Sequence, residues 1–471
     1  MSIASIVLAL MPNLSQAVAD SIAPDQTNMG TLTATEYAKG IRVGWNVGNS
    51  LDAVNQVNGF YVPGETNWGN PAITQTLIDS VKAAGFNAIR LPVAWSKFSD
   101  STTFTIDTNW LHRVQQVVDY AIGRDMYVML NEHWDGGWAD NRVYADSAYA
   151  NKRLRAIWKQ VGKRFRDYGS KLMFAGTNEV RKDNYYGTPT TEALAVQMGY
   201  NQLFVKAIRA TGGRNAYRYL VVQAYNTNID NGVNFLKMPI DPTSKRLLME
   251  VHFYDPYEFT ISTDAAHAAM TQWGASGASA KKATWGDESN VDAQFGKMKT
   301  AFGDKGVPVV IGEYGCILKN TSDNPAFRVA WDKYVTATAV KLGLVPFYWD
   351  NGSTASGGGG MGLFDRATGK QAFPDIVKAI VSQAPAVAIR NAVPSRTRTW
   401  ARLESGSLKL HLDGIQGSVA KVFDSRGQVA RTLQVEPGSH SYALGSLPSG
   451  AYVLQVQTPQ GMFRQAILQT P

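Results

Sequence analysis

Between residues 37 and 380 the chain repeats one pattern eight times: a short run of β-branched and apolar residues, followed by a longer amphipathic stretch. Strands that alternate with helices in this way pair in parallel through βαβ units, whereas hairpins need consecutive strands joined by tight turns. Eight βα units are the number that closes a (β/α)8, or TIM, barrel of the α/β class. The predicted strands are residues 42–45, 88–91, 127–130, 172–176, 219–223, 247–252, 308–312 and 345–349.

The alternative for such a pattern is an open, doubly wound sheet. That fold binds phosphates with a glycine-rich turn after its first strand, and the segment GWNVGN (44–49) does not have the required spacing of glycines. In barrels, chemistry takes place at the carboxyl ends of the strands. Polar and aromatic side chains gather at these ends of the predicted strands, namely Asn46, Asn49, Arg90, His133, Trp134, Asn178, Glu179, His252, Tyr254, Glu313 and Trp349.

After Pro385 the helical periodicity ends, and short alternating strands separated by Gly, Pro and Ser follow, which predicts a small all-β sandwich. From Arg390 onward nine Lys or Arg stand against four Asp or Glu, so this region carries +5 of the net charge of +8. The predicted division is a signal peptide (1–19), an N-terminal extension (20–36), a catalytic barrel (37–385), a linker (386–399) and a β-sandwich (400–471).

The N-terminal segment is typical of a signal peptide, except that no Lys or Arg precedes its apolar run. Residues 2–10 are too few to cross a bilayer, and Ala17-Val18-Ala19 supplies the small residues that precede a cleavage site. A buried N-terminal helix is the alternative. We expect a secreted or cell-surface bacterial protein that has no membrane segment in its mature form.

Composition argues against several other classes of protein. The pI is about 9.2, but no basic run alternates with aromatic residues as in a nucleic-acid groove, so we expect no nucleic-acid partner. The single cysteine, Cys316, cannot form an internal disulfide. No His-x-x-x-His or paired-Cys motif is present, and we expect no metal or other cofactor. A monomer is the expected state.

Glu179 and Glu313 follow predicted strands four and seven, so both are expected to face one cleft at the barrel mouth. Hydrolysis of a glycosidic bond uses two such carboxyl groups, one to protonate the leaving oxygen and one to attack or to activate water. A separation of about 5 Å gives retention of configuration and about 6.5–9.5 Å gives inversion. The spacing in sequence leaves both open.

The neighbours of the two glutamates suggest a division of roles, with Glu179 as acid/base and Glu313 as nucleophile. Arg90 and Tyr254 are placed to stabilise Glu313 as an anion, and Asn178 to bind a sugar hydroxyl beside Glu179. Isolated residues of these types are more often structural, but their joint occurrence at strand ends favours a functional site. The other candidates for contacts with sugar are His133, His252, Trp349, Trp134, Trp138, Trp45 and Asn49.

Residues 37–380 resemble glycoside hydrolase family 5. The resemblance implies retention of configuration, and active-site positions for Arg90, His133, Asn178, Glu179, His252, Tyr254, Glu313 and Trp349. Many relatives have two consecutive histidines after strand three, whereas this chain has His133 followed by Trp134, so the choice of substrate is less defined than the mechanism. The resemblance rests on GWNVGNSLDA (44–53), ETNWGNP (65–71), GFNAIRLPVAW (85–95), NEHWDGGW (131–138), TNEV (177–180), VHFYDPYEFT (251–260), IGEYG (311–315), FYWDNG (347–352) and GLFDR (362–366).

This resemblance implies an endo-β-1,4-glucanase of the cellulase type acting on β-glucan polysaccharides. Alternatives are a xyloglucanase, xylanase or mannanase of the same family, a transglycosylase, and a barrel that binds glycans without cutting them. The segment LPSGAYVLQV (447–456) is similar to the C-terminal sorting domains of type IX secretion substrates. It implies secretion machinery as a partner, with a carbohydrate-binding module or a passive sandwich as rivals.

Overall fold

The computed structural model of the protein describes residues 22–384 apart from 59, 186, 357 and 358. In the C-terminal region it describes residues 400–404, 407–412, 418–424, 428–436, 438–444, 447–448, 450–458 and 461–469. The predicted signal peptide and linker lie outside the described residues. The chain divides into two compact units between residues 384 and 385.

The first unit contains twelve strands among its described residues, and eight of them form a closed parallel barrel in the order β10-β11-β12-β2-β5-β6-β7-β9. In chain order the strands are β1 (Ile22–Pro24), β2 (Gly44–Asn46), β3 (Val54–Val57), β4 (Phe60–Pro63), β5 (Ala88–Leu91), β6 (Tyr127–Asn131), β7 (Leu172–Ala175), β8 (Gly212–Gly213), β9 (Leu220–Gln223), β10 (Leu247–Phe253), β11 (Val309–Tyr314) and β12 (Val345–Tyr348).

Helices follow the barrel strands, and several begin at a side chain that accepts a hydrogen bond from the first turn. Thr74, Asp107, Thr190, Asn228 and Asp287 cap helices in this way and so satisfy an otherwise unpaired backbone N–H. The helices are α1 (Ala34–Ala38), α2 (Gln75–Ala84), α3 (Thr108–Ile122), α4 (Ser147–Arg164), α5 (Thr191–Arg209), α6 (Ile229–Phe235), α7 (Tyr257–Thr260), α8 (Glu288–Ala301), α9 (Asn324–Leu342) and α10 (Pro374–Val381). Among the described residues, none of the helices has the length and apolar character needed to cross a bilayer.

Side chains alternate along each barrel strand between the helix layer and the barrel interior. The interior at the amino end is apolar, formed by residues such as Met129, Met173, Leu248 and Val310. At the carboxyl end the interior positions become polar: Arg90 lies two residues beyond Ala88 on β5. The core therefore closes one end of the barrel, and the other end carries the polar side chains.

The predicted (β/α)8 barrel is confirmed, and each of the eight predicted segments overlaps one barrel strand. Four strands extend further than predicted at their carboxyl ends, since β2, β6, β10 and β11 include Asn46, Asn131, Phe253 and Tyr314. His252 and Glu313 therefore lie within strands and are paired neighbours in the sheet, next to an irregularity in the register. In the region predicted as an N-terminal extension, β1 pairs in parallel with β8.

The second unit is the predicted all-β sandwich, with an antiparallel three-stranded and an antiparallel four-stranded sheet, β13-β14-β17 and β16-β15-β18-β19. Leu408 of the first sheet belongs to one apolar cluster with Val422 and Leu454 of the second. The strands are β13 (Trp400–Glu404), β14 (Ser407–Leu412), β15 (Ser418–Phe423), β16 (Val429–Val435), β17 (Gly438–Ala443), β18 (Gly450–Thr458) and β19 (Gly461–Gln469).

Candidate active site

A cleft of about 510 Å³ opens at the carboxyl ends of the barrel strands. Glu179 and Glu313 both line it, with one carboxylate oxygen of each within 4.8 Å of the other. Aromatic side chains lie around them, including Trp134, Trp138 and Trp349. Two facing carboxyl groups in a groove with flat apolar surfaces are suited to acid–base chemistry on a sugar.

Glu313 is the more enclosed of the two carboxyl groups, with a side chain 7% exposed. It lies near the end of β11, where Arg90 Nη1 donates to its Oε1 at 2.8 Å and Tyr254 Oη donates to its Oε2 at 2.9 Å. Both donors favour the ionised form. Burial works against them and raises the pKa of Glu313, while His252 and Arg90 act to lower it.

Glu179 is open to the cleft, with a side chain 33% exposed. It follows β7 in the loop that also contains Asn178. Its Oε1 lies 2.6 Å from His252 Nδ1 and accepts a longer hydrogen bond, 3.4 Å, from Thr227 Oγ1. Burial is the largest single effect and raises the pKa of Glu179, but the hydrogen bond from His252 and the charges of His252, Arg181 and Arg90 together outweigh it and lower the pKa. The acidity of Glu179 is therefore linked to the charge on this histidine.

His252 lies between three carboxylates. Its Nδ1 is 2.6 Å from Glu179 and 3.5 Å from Glu313, and its Nε2 is 3.3 Å from Glu250. Burial acts to lower the pKa of the imidazole, but the three carboxylates outweigh burial and raise it to about 9. The ring is thus positively charged at neutral pH and compensates part of the negative charge around it.

Arg90 connects the Glu313 side of the site to the Glu179 side. Beyond its bond to Glu313, Nη1 donates to Asn46 Oδ1 at 3.0 Å and Nη2 donates to Asn178 Oδ1 at 2.7 Å. The predicted pairing of Arg90 with Glu313 is therefore present in the structure. Its bond to Asn178 orients the amide next to Glu179, and Asn178 lines the cleft.

Two buried residues of this network, Glu250 and Gln223, were not predicted from the sequence. Glu250 Oε1 lies 2.9 Å from Arg90 Nε, and Gln223 Nε2 donates to its Oε2 at 2.7 Å. A usable signal was present, because Glu250 stands two residues before His252 in the apolar strand LLMEVHF and must face the same side. A lone acidic residue inside such a strand needs a buried partner.

His133 and Trp349 form a parallel pair in the wall of the cleft, with ring centroids 5.6 Å apart and planes 11° apart. Burial, together with Arg90 and His252, keeps the pKa of His133 well below its usual value, so the ring is neutral. Asn131 Oδ1 accepts a bond from the backbone, so its NH2 group donates to His133 Nδ1 at 3.0 Å. The hydrogen of His133 is therefore on Nε2, where it is a donor.

Of the other four residues predicted to contact sugar, two line the cleft and two do not. Trp134 and Trp138 line the cleft. One face of Trp138 is covered by the guanidinium of Arg153, 5.3 Å from the ring centroid. The structure does not bring Asn49 to the cleft: its backbone N–H donates to Asp52, and it is absent from the described lining. The prediction that Trp45 is a stacking platform is wrong, because this ring is fully buried.

Trp45 is instead part of the core beneath the cleft. Its indole N–H donates to Asp350 Oδ2 at 3.0 Å, and its ring packs edge-on against Phe364 and under the guanidinium of Arg366. The sequence alone does not show whether a tryptophan at the end of the first strand faces solvent or the helices. Alternation along β2 decides this, because Gly44 and Asn46 are the residues of β2 that face the interior.

Within the part of the chain that the structure describes, one group of three side chains has the spacing of metal ligands: Glu179, His252 and Glu313. The imidazole is protonated near neutral pH, and a protonated imidazole does not bind a metal. The guanidinium of Arg90 beside Glu313 also supplies positive charge that a cation would otherwise provide. The absence of a metal remains a prediction.

A (β/α)8 barrel with paired glutamates in an aromatic cleft at its carboxyl end is the architecture of a glycoside hydrolase. Residues 50–355, more than half of the chain, match the family Cellulase (glycosyl hydrolase family 5), and the protein belongs to that family. It is a glycoside hydrolase of the endo-β-1,4-glucanase type.

Several similar proteins are named as endoglucanases or xyloglucanases. A xyloglucan-specific endo-β-1,4-glucanase of Bacteroides ovatus is 42% identical over 358 residues, covering 74% of this chain and 70% of the relative. Endoglucanase A of Paenibacillus barcinonensis is 39% identical over 399 residues, covering 81% of this chain and 97% of the relative. The solved structure of the Bacteroides ovatus GH5 xyloglucanase in complex with a XXXG heptasaccharide has a TM-score of 0.74 at 41% identity, covering 77% of this chain and 79% of that chain.

Proposed function

We propose that the protein cleaves internal β-1,4 linkages of β-glucan polysaccharides by double displacement, with Glu313 as nucleophile and Glu179 as acid/base. The observation that carries the mechanism is the approach of the two carboxylates to within 4.8 Å. This distance suits direct attack on the sugar and is too short for the water that an inverting enzyme places between its carboxyls. Retention of configuration follows.

In the first step the Glu313 carboxylate attacks the anomeric carbon, and the bond to the leaving oxygen breaks as that oxygen takes the proton of Glu179. In the second step Glu179 removes a proton from water, the water oxygen attacks the same carbon, and the bond to Glu313 breaks. Glu179 is then protonated again and Glu313 is ionised. The greater exposure of Glu179 suits a group that exchanges protons with leaving groups and with water.

The proton for the first step is stored between His252 and Glu179. In the free site His252 lowers the pKa of Glu179, and burial raises the pKa of Glu313, the reverse of the order that an acid and a nucleophile need. Groups this close titrate together. Transfer of the proton across the 2.6 Å contact leaves a neutral imidazole and a protonated Glu179 at the same total charge. Arg90 and Tyr254 donate to Glu313 in both states, which favours its ionised form.

Xyloglucan is the second candidate substrate. The Bacteroides ovatus relative, 42% identical, is named as xyloglucan-specific, and a structural neighbour binds a XXXG heptasaccharide. Trp134 beside His133 adds an aromatic surface at the mouth of the cleft, which suits a bulky glycan. Xylan and mannan remain weaker alternatives, because none of the relatives named above acts on them by name.

The predictions on location and partners are part of the same proposal. Export to the cell surface or medium is supported by the signal-peptide composition of residues 1–19, and a monomer is the expected state. Recognition of the C-terminal unit by secretion machinery is supported by the LPSGAYVLQV segment, which includes most of β18 in an antiparallel sandwich. Removal of residues 386–471 is expected to leave the enzyme active but retained inside the cell.

The deciding experiment compares the wild-type protein with Glu313→Ala on carboxymethylcellulose, xyloglucan, xylan and glucomannan. We expect viscosity to fall faster than reducing sugar appears, the initial product to have the β configuration by NMR, and Glu313→Ala to be inactive while folded. The polymer cleaved with the highest kcat/KM identifies the substrate. A wild-type protein that binds these polymers without cutting any of them would contradict the proposal and favour a binding role, and an α product would contradict retention.

A further inference from the structure

The site contains a third carboxylate that the double displacement does not use. Glu250 is fully buried in β10, below His252 and opposite Gln223 of β9 in the sheet. An ionised group at such a position is costly unless its surroundings compensate it. The structure supplies two cationic neighbours, Arg90 and His252, so the charge of Glu250 is compensated by the groups that contact the two catalytic glutamates.

Each oxygen of Glu250 has its own neighbours. Oε1 lies 2.9 Å from Arg90 Nε and 3.3 Å from His252 Nε2, and Oε2 accepts a hydrogen bond from Gln223 Nε2 at 2.7 Å. All three neighbours are donors, and a carboxylate is an acceptor only. An amide at position 250 would point its NH2 group either at the NH2 group of Gln223 or at Arg90 and His252, and all of these are donors.

Gln223 cannot relieve that conflict by turning its amide over. Its Oε1 accepts from the backbone N–H of Thr177 at 2.9 Å and from Thr177 Oγ1 at 3.2 Å, which fixes the NH2 group toward Glu250. The neighbouring strand leaves no other space either. A Cβ on Gly312 would lie 1.9 Å from Glu250 Oε1. The carboxylate therefore occupies the space that the side chain of any residue other than glycine would need at position 312.

We propose that Glu250 is a positioning residue that holds Arg90 against Glu313 and His252 against Glu179 at the same time. A bond from His252 Nε2 to Glu250 holds a proton on Nε2 and directs Nδ1 to Glu179, as a carboxylate behind a histidine does in other sites. The ion pair with Arg90, 2.9 Å from Nε to Oε1, holds by charge the guanidinium whose Nη1 reaches Glu313. This role rests on the proposed double displacement.

The test uses Glu250→Gln and the exchange variant Gln223→Glu/Glu250→Gln, with Glu65→Gln as control. Glu65 also accepts from an arginine, Arg113, at 2.7 Å, but it is not among the described residues that line the cleft. In the exchange variant the amide at position 250 donates to the carboxylate at 223, and its oxygen faces Arg90 and His252. We measure kcat and KM on the polymer cleaved best, and the titration of His252 by NMR with 15N-labelled histidine.

For Glu250→Gln we expect kcat to fall by about 10- to 100-fold with little change in KM. The His252 titration should move to lower pH, because one of the anions that stabilise the imidazolium is gone. The exchange variant should recover most of the lost kcat, and Glu65→Gln should leave kcat and the titration unchanged. If Glu250→Gln does not fold, Glu250→Asp decides, because it keeps the charge but withdraws the oxygens, and kcat should again fall.

Wild-type kcat and an unmoved His252 titration in Glu250→Gln would overturn this role while leaving the proposed function intact. Wild-type kcat in Glu250→Asp, where that variant decides, would overturn it as well. A loss of kcat that the exchange does not reverse at all would also overturn it, since the lost contacts would then not be the cause. A wild-type protein without any turnover would overturn the proposed function and this inference with it.

Discussion

Each end of the barrel buries an arginine, and the two arginines bind different kinds of group. At the carboxyl end, Arg90 donates to the side chains of Glu313, Asn46 and Asn178. At the amino end, Arg218, two residues before β9, donates to the backbone carbonyls of five residues between 165 and 172. Both side chains are fully buried.

The difference separates stability from function within one barrel. Backbone carbonyls do not ionise or react, so the bonds of Arg218 hold a chain segment in place. Carboxylates ionise and react, so the bonds of Arg90 set the charge and orientation of groups that a substrate meets. We therefore expect substitutions at the mouth to change catalysis more than stability, and substitutions at the amino end to do the reverse.

The largest effect is expected from Glu179→Ala at the mouth. Loss of the acid should lower kcat/KM on β-glucan by about 10³-fold, because the leaving oxygen is no longer protonated. A dinitrophenyl glycoside needs little protonation, and its kcat/KM should stay near the wild-type value. The free energy of unfolding should fall only slightly, because the lost contact with His252 is offset in part by relief of the repulsion between close carboxylates.

Parallel rate assays on the two substrates and urea unfolding of both proteins check this prediction. An equal loss on the two substrates would remove Glu179 from the role of acid. A marked loss of stability would break the contrast between the two ends of the barrel.

Arg218→Met should have the opposite profile. The change removes a buried guanidinium that donates to five backbone carbonyls, and we expect the free energy of unfolding to fall by about 3–5 kcal/mol. The kcat of the protein that remains folded should stay within about twofold of wild type, since catalysis at the far end is not touched. Arg155→Met, an exposed arginine on α4, is the matched control and should change neither quantity. A large loss of kcat in folded Arg218→Met would show that the two ends are coupled.

The barrel could be predicted because the pattern of strand and helix occurs eight times in the sequence. A misplaced boundary at one strand does not change the number of strands. The predicted residues that the structure brings together are those at the carboxyl ends of strands, such as Arg90, Glu179 and Glu313. Glu250 was not predicted because it lies inside a strand, two residues before His252, and its partners are far away in sequence. Trp45 was assigned to the cleft because its residue type suits sugar and its direction could not be known before the register of β2.

The charge on His252 makes the stability of the mouth depend on pH. Its pKa is about 9 in the folded protein, above the value of about 6.5 expected when unfolded. A raised pKa contributes stability that is fully present below pH 6.5 and is lost as pH rises through 9. The stability that wild type has over His252→Gln should therefore shrink by about 3 kcal/mol across this window.

Urea unfolding of both proteins at several pH values between 6 and 10 measures that difference. A difference that stays constant with pH would mean that the imidazole is not charged in the folded state. It would also remove the proton store proposed beside Glu179.

The smallest effect is expected at the outer edge of the mouth, where Trp134 lines the cleft with a residue exposure of 43%. Stacking of a sugar on an exposed indole contributes about 1 kcal/mol, so Trp134→Ala should raise KM about fivefold and leave kcat nearly unchanged. Trp285 is a matched control, since it is 45% exposed and lies outside the described cleft lining. Trp285→Ala should leave KM unchanged. If Trp134→Ala lowered kcat instead, the ring would act on the reacting sugar. Residues that affect catalysis would then extend further toward the outer edge of the mouth than the two carboxylates.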